Sequence, residues 1–190
     1  MSGKNEANRN RPKWYVGAPR YGKTTLGVSH LWDSVERNGN PAVIIDSVRD
    51  QIFRDVPHVE TMPEVFRYLY EKRTHVAIQP SNQSTVEQIC RGVLAVGHAN
   101  VFIDESPFWL NNLRMMRSLA ERDNRGPIEM FLTAQSFSSD IPSAARDCNP
   151  LIHVFRVTAP NSLDYLERRY KMNREEVENL PVGKYLTLGA

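Results

Sequence analysis

Residues 16–27 read VGAPRYGKTTLG, and this stretch constrains the fold more than any other part of the chain. A short apolar run, KWYVGA (13–18), leads into it, and a helical pattern, GKTTLGVSHLWDSVERNG (22–39), leads out. Gly17, Gly22, Lys23 and Thr24 fall at GxxxxGK[ST] spacing. Strand, glycine-bounded loop and helix in that order make a phosphate-binding loop. Glycine is needed at 17 and 22 for turn geometry and for close approach of the backbone. The loop N–H groups then face an anion beside a helix N-terminus. On this reading Gly17, Ala18, Pro19, Arg20, Tyr21, Gly22, Lys23, Thr24 and Thr25 surround the phosphates of a nucleotide. Lys23 reaches the outer phosphates and the Thr24 hydroxyl holds Mg²⁺. Pro19 is tolerated wherever its missing N–H faces no phosphate. Arg20 and Tyr21 stand where small residues are more usual. Their side chains are expected to point away from the phosphates, toward a subunit interface or the nucleotide's edge.

The rest of the chain alternates strand and helix patterns. PAVIIDS (41–47), THVAIQP (74–80), NVFIDE (100–105), IEMFLTAQ (128–135), LIHVFRV (151–157) and KYLTLG (184–189) read as strands. MPEVFRYLYEKR (62–73), STVEQICRGVLAVG (84–97), PFWLNNLRMMRSLAERDNRG (107–126) and NSLDYLERRY (161–170) read as helices. Apolar, β-branched strands separated by helices of ten or more residues predict a mainly parallel central sheet covered by helices on both faces. The fold class is α/β, a three-layer P-loop NTPase. No repeat, low-complexity tract or second composition regime interrupts it. A basic tail over residues 1–12 and a single domain over 13–190 are expected.

A phosphate loop needs an acidic partner on a neighbouring strand. VFIDE supplies one: Asp104 ends an apolar run, where it can approach Mg²⁺ through water, and Glu105 follows it. A carboxylate beside the metal aspartate can polarise an attacking water, which is general-base work. On the next strand FLTAQ ends in Gln135, an amide able to position water near the γ-phosphate. Phosphate loop, Asp-Glu pair, then a polar strand end is the order found in ATPases with an added catalytic glutamate, the ASCE class.

Four segments carry a more specific likeness: VFIDESPFWL, RGPIEMFLTAQSFSSDIP, CNPLIHVFRVTAPNSLDYLE and LPVGKYLTLG. Together, over about residues 14 to 189, they resemble the HerA/FtsK superfamily of DNA-pumping ATPases. The small size resembles the genome-packaging ATPases of tailless, membrane-containing viruses. The resemblance implies a RecA-like sheet, ATP as the nucleotide, a ring that is usually a hexamer, and translocation of double-stranded DNA. It matches Lys23 and Thr24 to Walker A, Asp104 and Glu105 to Walker B and its catalytic carboxylate, and Gln135 to the strand-end glutamine. It also implies an arginine that reaches a neighbour's γ-phosphate, worth ~10³ or more in turnover. Arg122, Arg125 and Arg146 are candidates for that role, and Arg156, within the strand that follows, is a further one.

Charge is nearly balanced, 24 basic against 22 acidic residues, so no global field names a partner. The tail is more uneven: Lys4, Arg9, Arg11 and Lys13 against Glu6 give 4 − 1 = +3 over residues 1–13. It reads as a solvated end or as a basic arm on nucleic acid. Lys72, Arg73 and Arg49 are candidates for gripping DNA phosphates. Phe108, Trp109, Tyr68 and Tyr70 read as core or interface aromatics rather than base-stacking platforms. Cys90 and Cys148 have no partner at metal-ligand spacing and read as buried thiols of a reducing cytoplasm. No secretory leader is expected, and no apolar run approaches the ~18–20 residues needed to span a bilayer. A virion portal or membrane proteins at a packaging vertex are the expected docking partners. Two other functions fit the motifs: a small-molecule kinase, and an assembly protein like the phage morphogenesis proteins related to zonula occludens toxin.

Overall fold

A computed structural model describes residues 11–109, 128–136 and 150–189. Eight strands form one sheet: β1 (Lys13–Val16), β2 (Ala42–Ile45), β3 (His58–Val59), β4 (Val76–Ile78), β5 (Ala99–Ile103), β6 (Ile128–Ala134), β7 (Leu151–Val154) and β8 (Leu186–Leu188). Their order across the sheet is β3-β4-β2-β5-β6-β1-β7-β8. Seven strands run parallel, and β8 closes the β7 edge antiparallel. The helices are α1 (Lys23–Asn38), α2 (Met62–Phe66), α3 (Gln83–Val96), α4 (Ser106–Trp109), α5 (Pro160–Tyr170) and α6 (Arg174–Glu178). The helix read over 107–126 is described only through Trp109, and its remainder lies outside the described residues.

Strand alternation divides the core between the two faces. Tyr15, Ile44, Ala77, Phe102 and Phe131 point to one face, where Val28 and Leu31 of α1 and Phe53 cover them. Trp14, Val16, Val43, Ile45, Val101, Ile103 and Leu132 point to the other, against α2, α3 and α5. The central strands β2, β5 and β6 are buried along their whole length, as parallel strands covered on both faces must be. The three-layer, mainly parallel arrangement expected from the sequence is the observed one.

Differences from expectation are local. The 62–73 helix is α-helical only to Phe66 and then widens into a π-type turn over Arg67–Glu71, closed by Lys72 N–H on the Arg67 carbonyl. The Phe66 ring stacks on Tyr70 and lies against Gly92 of α3. Most strands are shorter than the runs read for them; β5 ends at Ile103, where Asp104 and Glu105 turn into the loop of the site. Strand β3 and helix α6 had no reading in the sequence, since two and five residues are too few to show a period.

Candidate functional site

The site is built by three adjacent strands. In sequence β1, β5 and β6 are far apart. In the sheet β6 lies between β1 and β5, with Val16 beside Ala134 and Ile103 beside Leu132. The C-terminal ends of all three therefore open on the same edge. Ligands of open α/β sheets bind at such an edge.

From β1 the chain turns at Gly17, whose N–H donates to the Ala134 carbonyl while the Ala18 N–H donates to the Arg156 carbonyl. A Cβ on Gly17 would lie 2.8 Å from both Phe155 Cβ and the Arg156 carbonyl oxygen, so only glycine passes there. Arg20 (φ 65°) and Gly22 (φ 98°) take left-handed geometry and deliver the chain into α1. That helix opens with no capping side chain and no acid in its first turn. The N–H groups of a first turn lack intrahelical partners, so this end favours an anion. Lys23 is buried, and its Nζ donates to the Ala18 carbonyl at 3.1 Å, folded back across the loop. Burial lowers its pKa, and the charges of Glu105 and Asp104 oppose that.

Asp104 is nearly buried at the end of β5, and its carboxylate accepts from Thr133 Oγ1 at 2.8 Å and from Thr24 Oγ1 at 3.5 Å. Burial raises its pKa against the Thr133 hydrogen bond, helped by the nearby charges of Glu105, Asp46 and Asp50. Glu105 has φ 48°, left-handed geometry that costs a non-glycine residue about 1–2 kcal/mol. That turn is held by its N–H donating to Thr133 Oγ1 at 2.8 Å. Gln135 Nε2 donates to Glu105 Oε1 at 3.3 Å.

These residues fit Mg²⁺ and a nucleotide. A buried lysine and a buried aspartate each strained toward neutrality would both be held charged by a phosphate and a cation placed between them. Among the described residues no group of three or more His, Cys, Asp or Glu side chains forms a metal cage. Mg²⁺ carried by phosphates needs only one or two protein oxygens, and Thr24 with Asp104 provides them.

Of the sequence candidates, Lys23, Thr24, Asp104, Glu105 and Gln135 come together. Pro19, Arg20 and Thr25 are exposed on the loop and first helical turn. Arg122, Arg125 and Arg146 lie outside the described residues, as does Cys148. Arg156 is engaged within its own chain: its Nη1 donates to the Tyr21 hydroxyl at 2.8 Å. Tyr21 also packs on the cluster that contains Phe155. Lys72 lies over the Tyr68 ring, 4.0 Å from its centroid, while Arg49 and Arg73 are exposed with left-handed backbones. Trp109 is buried and donates to Ser47 Oγ, which donates to the Asp104 carbonyl; Phe108 is exposed.

Thr133 escaped sequence reasoning. Its only signal was being the one hydroxyl within a buried apolar strand, one register step beyond the Ile103–Leu132 pair. Asp46, fully buried at the end of β2, was missed as well. It accepts from the Val48 and Asp50 N–H groups and shapes the loop beside Asp104.

No protein-family model matches the chain, and no curated protein sequence matches it. Solved structures do. The genome packaging NTPase B204 from Sulfolobus turreted icosahedral virus 2, in complex with ATP-gammaS, matches at TM-score 0.70 with 16% identity, covering 95% of this chain and 92% of that one. B204 with sulfate matches at TM-score 0.73 and 14% identity, covering 95% and 91%. The pCW3 conjugation coupling protein TcpA, with ATPgS, matches at TM-score 0.61 and 13% identity, covering 95% of this chain and 58% of TcpA. At these identities the likeness is one of fold. The chain has the three-layer, mainly parallel P-loop NTPase fold that the sequence led us to expect and that these structures share.

Proposed function

We propose that this chain hydrolyses ATP with Mg²⁺ and couples that reaction to movement of double-stranded DNA, as one subunit of a ring, a hexamer on this reading, that packages a viral genome. Residues 13–190 act as one ATPase unit. The observation that carries the reading is the placement of β6 between β1 and β5, which sets Glu105 and Gln135 beside the phosphate loop. A second carboxylate next to the metal aspartate suits activation of water better than transfer to an acceptor, which favours hydrolysis over a kinase. Structures of B204 with ATP-gammaS and of TcpA with ATPgS support the choice of nucleotide.

Lys23 leaves the Ala18 carbonyl for the outer phosphates, and Gly22 to Thr25 offer their N–H groups to the same oxygens. Thr24 and Asp104 would hold Mg²⁺, which would supply positive charge to the phosphates. Glu105 takes the proton from water aligned by the Gln135 amide; the water oxygen bonds to the γ-phosphorus as the bond from that phosphorus to the bridging oxygen breaks, leaving ADP and phosphate. One of Arg122, Arg125 or Arg146 from a neighbouring subunit completes the site, so turnover depends on assembly. Among the described residues no helix is long and apolar enough to cross a membrane. On this reading the unassembled subunit is cytoplasmic and docks at a virion vertex on a portal or membrane protein.

The test is the ATPase rate of the purified full chain against its own concentration, with and without duplex DNA. A steep concentration dependence and stimulation by DNA are expected. Lys23→Ala should abolish turnover, and Glu105→Gln should lower kcat by ~10²–10⁴-fold while nucleotide still binds. Absence of turnover under all conditions would sink the enzymatic reading. Tight binding without turnover, with capture of a coat protein, would point to the assembly role instead.

A further inference from the structure

The phosphate loop is held from outside by two consecutive residues after β7. Phe155 lies beneath Gly17 and within ordinary contact range of Gly22, where a Cβ would meet its ring at 3.6 Å. Arg156 grips the loop at both ends: its carbonyl accepts from Ala18 N–H at 2.7 Å, and its Nη1 donates to the Tyr21 hydroxyl at 2.8 Å. Its guanidinium carbon also lies 5.7 Å from the centre of the Tyr21 ring. The Tyr21 carbonyl in turn accepts from Gly183 N–H at 3.2 Å, within the turn that leads to β8. Arg156 Nε is buried with no hydrogen-bond partner among the described residues.

Between these anchors lie Pro19, which has no N–H to offer, and Arg20, which is left-handed; their backbone sets the path by which the loop enters the N–H groups of Gly22 to Thr25. We infer that Arg156, acting through Tyr21, is a positioning residue that presets the phosphate loop in its anion-receptive shape, and that the turn at Gly183 is the third point of the same clamp. This rests on the ATP-binding reading above. A loop already shaped before the ligand arrives loses less conformational freedom on binding, so the clamp acts on affinity. It acts equally on ground and transition states, because it changes the loop and not the reacting atoms. Arg156 is then a residue of its own subunit's site rather than the one that enters a neighbour's.

The experiment measures MgATP dissociation constants, KM and kcat on the full chain for wild type, Tyr21→Phe, Arg156→Met and the double variant, with Lys23→Ala as control. Tyr21→Phe and Arg156→Met should each weaken MgATP by about 3- to 20-fold, a part of the roughly ten- to a hundredfold that a hydrogen bond to a charged group is worth, since the contact reaches the ligand only through the loop. The double variant should bind no worse than Arg156→Met alone, because both act through one contact. KM should rise with kcat within about twofold of wild type. Arg156→Lys should recover part of the affinity. Melting temperatures of the nucleotide-free variants separate a lost clamp from a lost fold. If wild type binds MgATP and Lys23→Ala does not, yet both clamp variants bind like wild type, the clamp is overturned and the ATP reading stands. Additive effects, or a fall in kcat at unchanged KM, would overturn it too. If wild type itself does not bind MgATP, the underlying reading has failed.

Discussion

Thr133 serves two acidic residues with one hydroxyl: it donates to the Asp104 carboxylate and accepts from the Glu105 N–H. Glu105 can therefore keep its left-handed backbone and aim its carboxylate at Gln135. Replacing Thr133 with valine keeps shape and β-branching but removes both contacts, a loss of about 1.5–3 kcal/mol for a bond to a charged group. Thr133→Val should lower kcat by roughly ten- to a hundredfold with nucleotide affinity nearly intact, and Thr133→Ser should restore most of it. Wild-type turnover in the valine variant would show that Thr133 does not set the carboxylates. The residue shows how far single-letter reading reaches. Lys23, Thr24, Asp104 and Glu105 announce themselves because charged or hydroxyl residues at those spacings have few other reasons to be there. Threonine in a strand has an ordinary reason, its β-branched fit to a pleated sheet. Only the register of β5 on β6 turns it into a candidate.

Elements carry the next layer. The order of strands along the chain was readable, but their order across the sheet was not. Crossover handedness narrows the possibilities without saying which strand comes to lie between β1 and β5. That placement decides whether Gln135 reaches Glu105 at all. Helix packing was equally silent about Gly92. A glycine in the middle of α3 costs helix stability, yet a Cβ there would collide with the Phe66 ring at the point where α2 passes into its π-type turn. Gly92→Ala gains helix propensity and loses that seat. Overpacking costs about 1–3 kcal/mol, more than the ~1 kcal/mol that alanine returns. Urea unfolding should therefore place Gly92→Ala below wild type in midpoint. Pairing it with Phe66→Leu should recover part of the loss, and a stabilised Gly92→Ala would mean that the helices separate freely.

The whole molecule sets its charges at opposite ends of the sheet. The catalytic candidates lie at the strand C-termini, while Glu129 is buried at the other end between Lys13 and Arg37, both at 2.6 Å. Between them, under α1, His153 of β7 stacks on Tyr15 and contacts His30 and Tyr185, with its Nδ1 on Thr187 of β8. Its Nε2 is buried with no hydrogen-bond partner among the described residues. Burial first, then the neighbouring His30 and Lys13, pushes its pKa down to about 4, and burial lowers that of His30 as well. An unfolded histidine titrates near 6.5. As pH falls below that, the unfolded chain takes up the proton first, so stability is complete above about pH 6.5 and is lost progressively down to about pH 4. For His153 alone the loss approaches about 3 kcal/mol, since each pH unit between the folded and unfolded pKa values is worth about 1.4 kcal/mol. It falls where the antiparallel edge strand joins the parallel sheet, so β8 and the Gly183 turn before it should loosen first in acid. His153→Phe keeps the stacked ring and removes the titration. The variant's stability should change less than wild type's between pH 6.5 and 4, whatever its value at neutral pH. Parallel stability curves across that window would show that the buried imidazole does not report the join between edge and sheet.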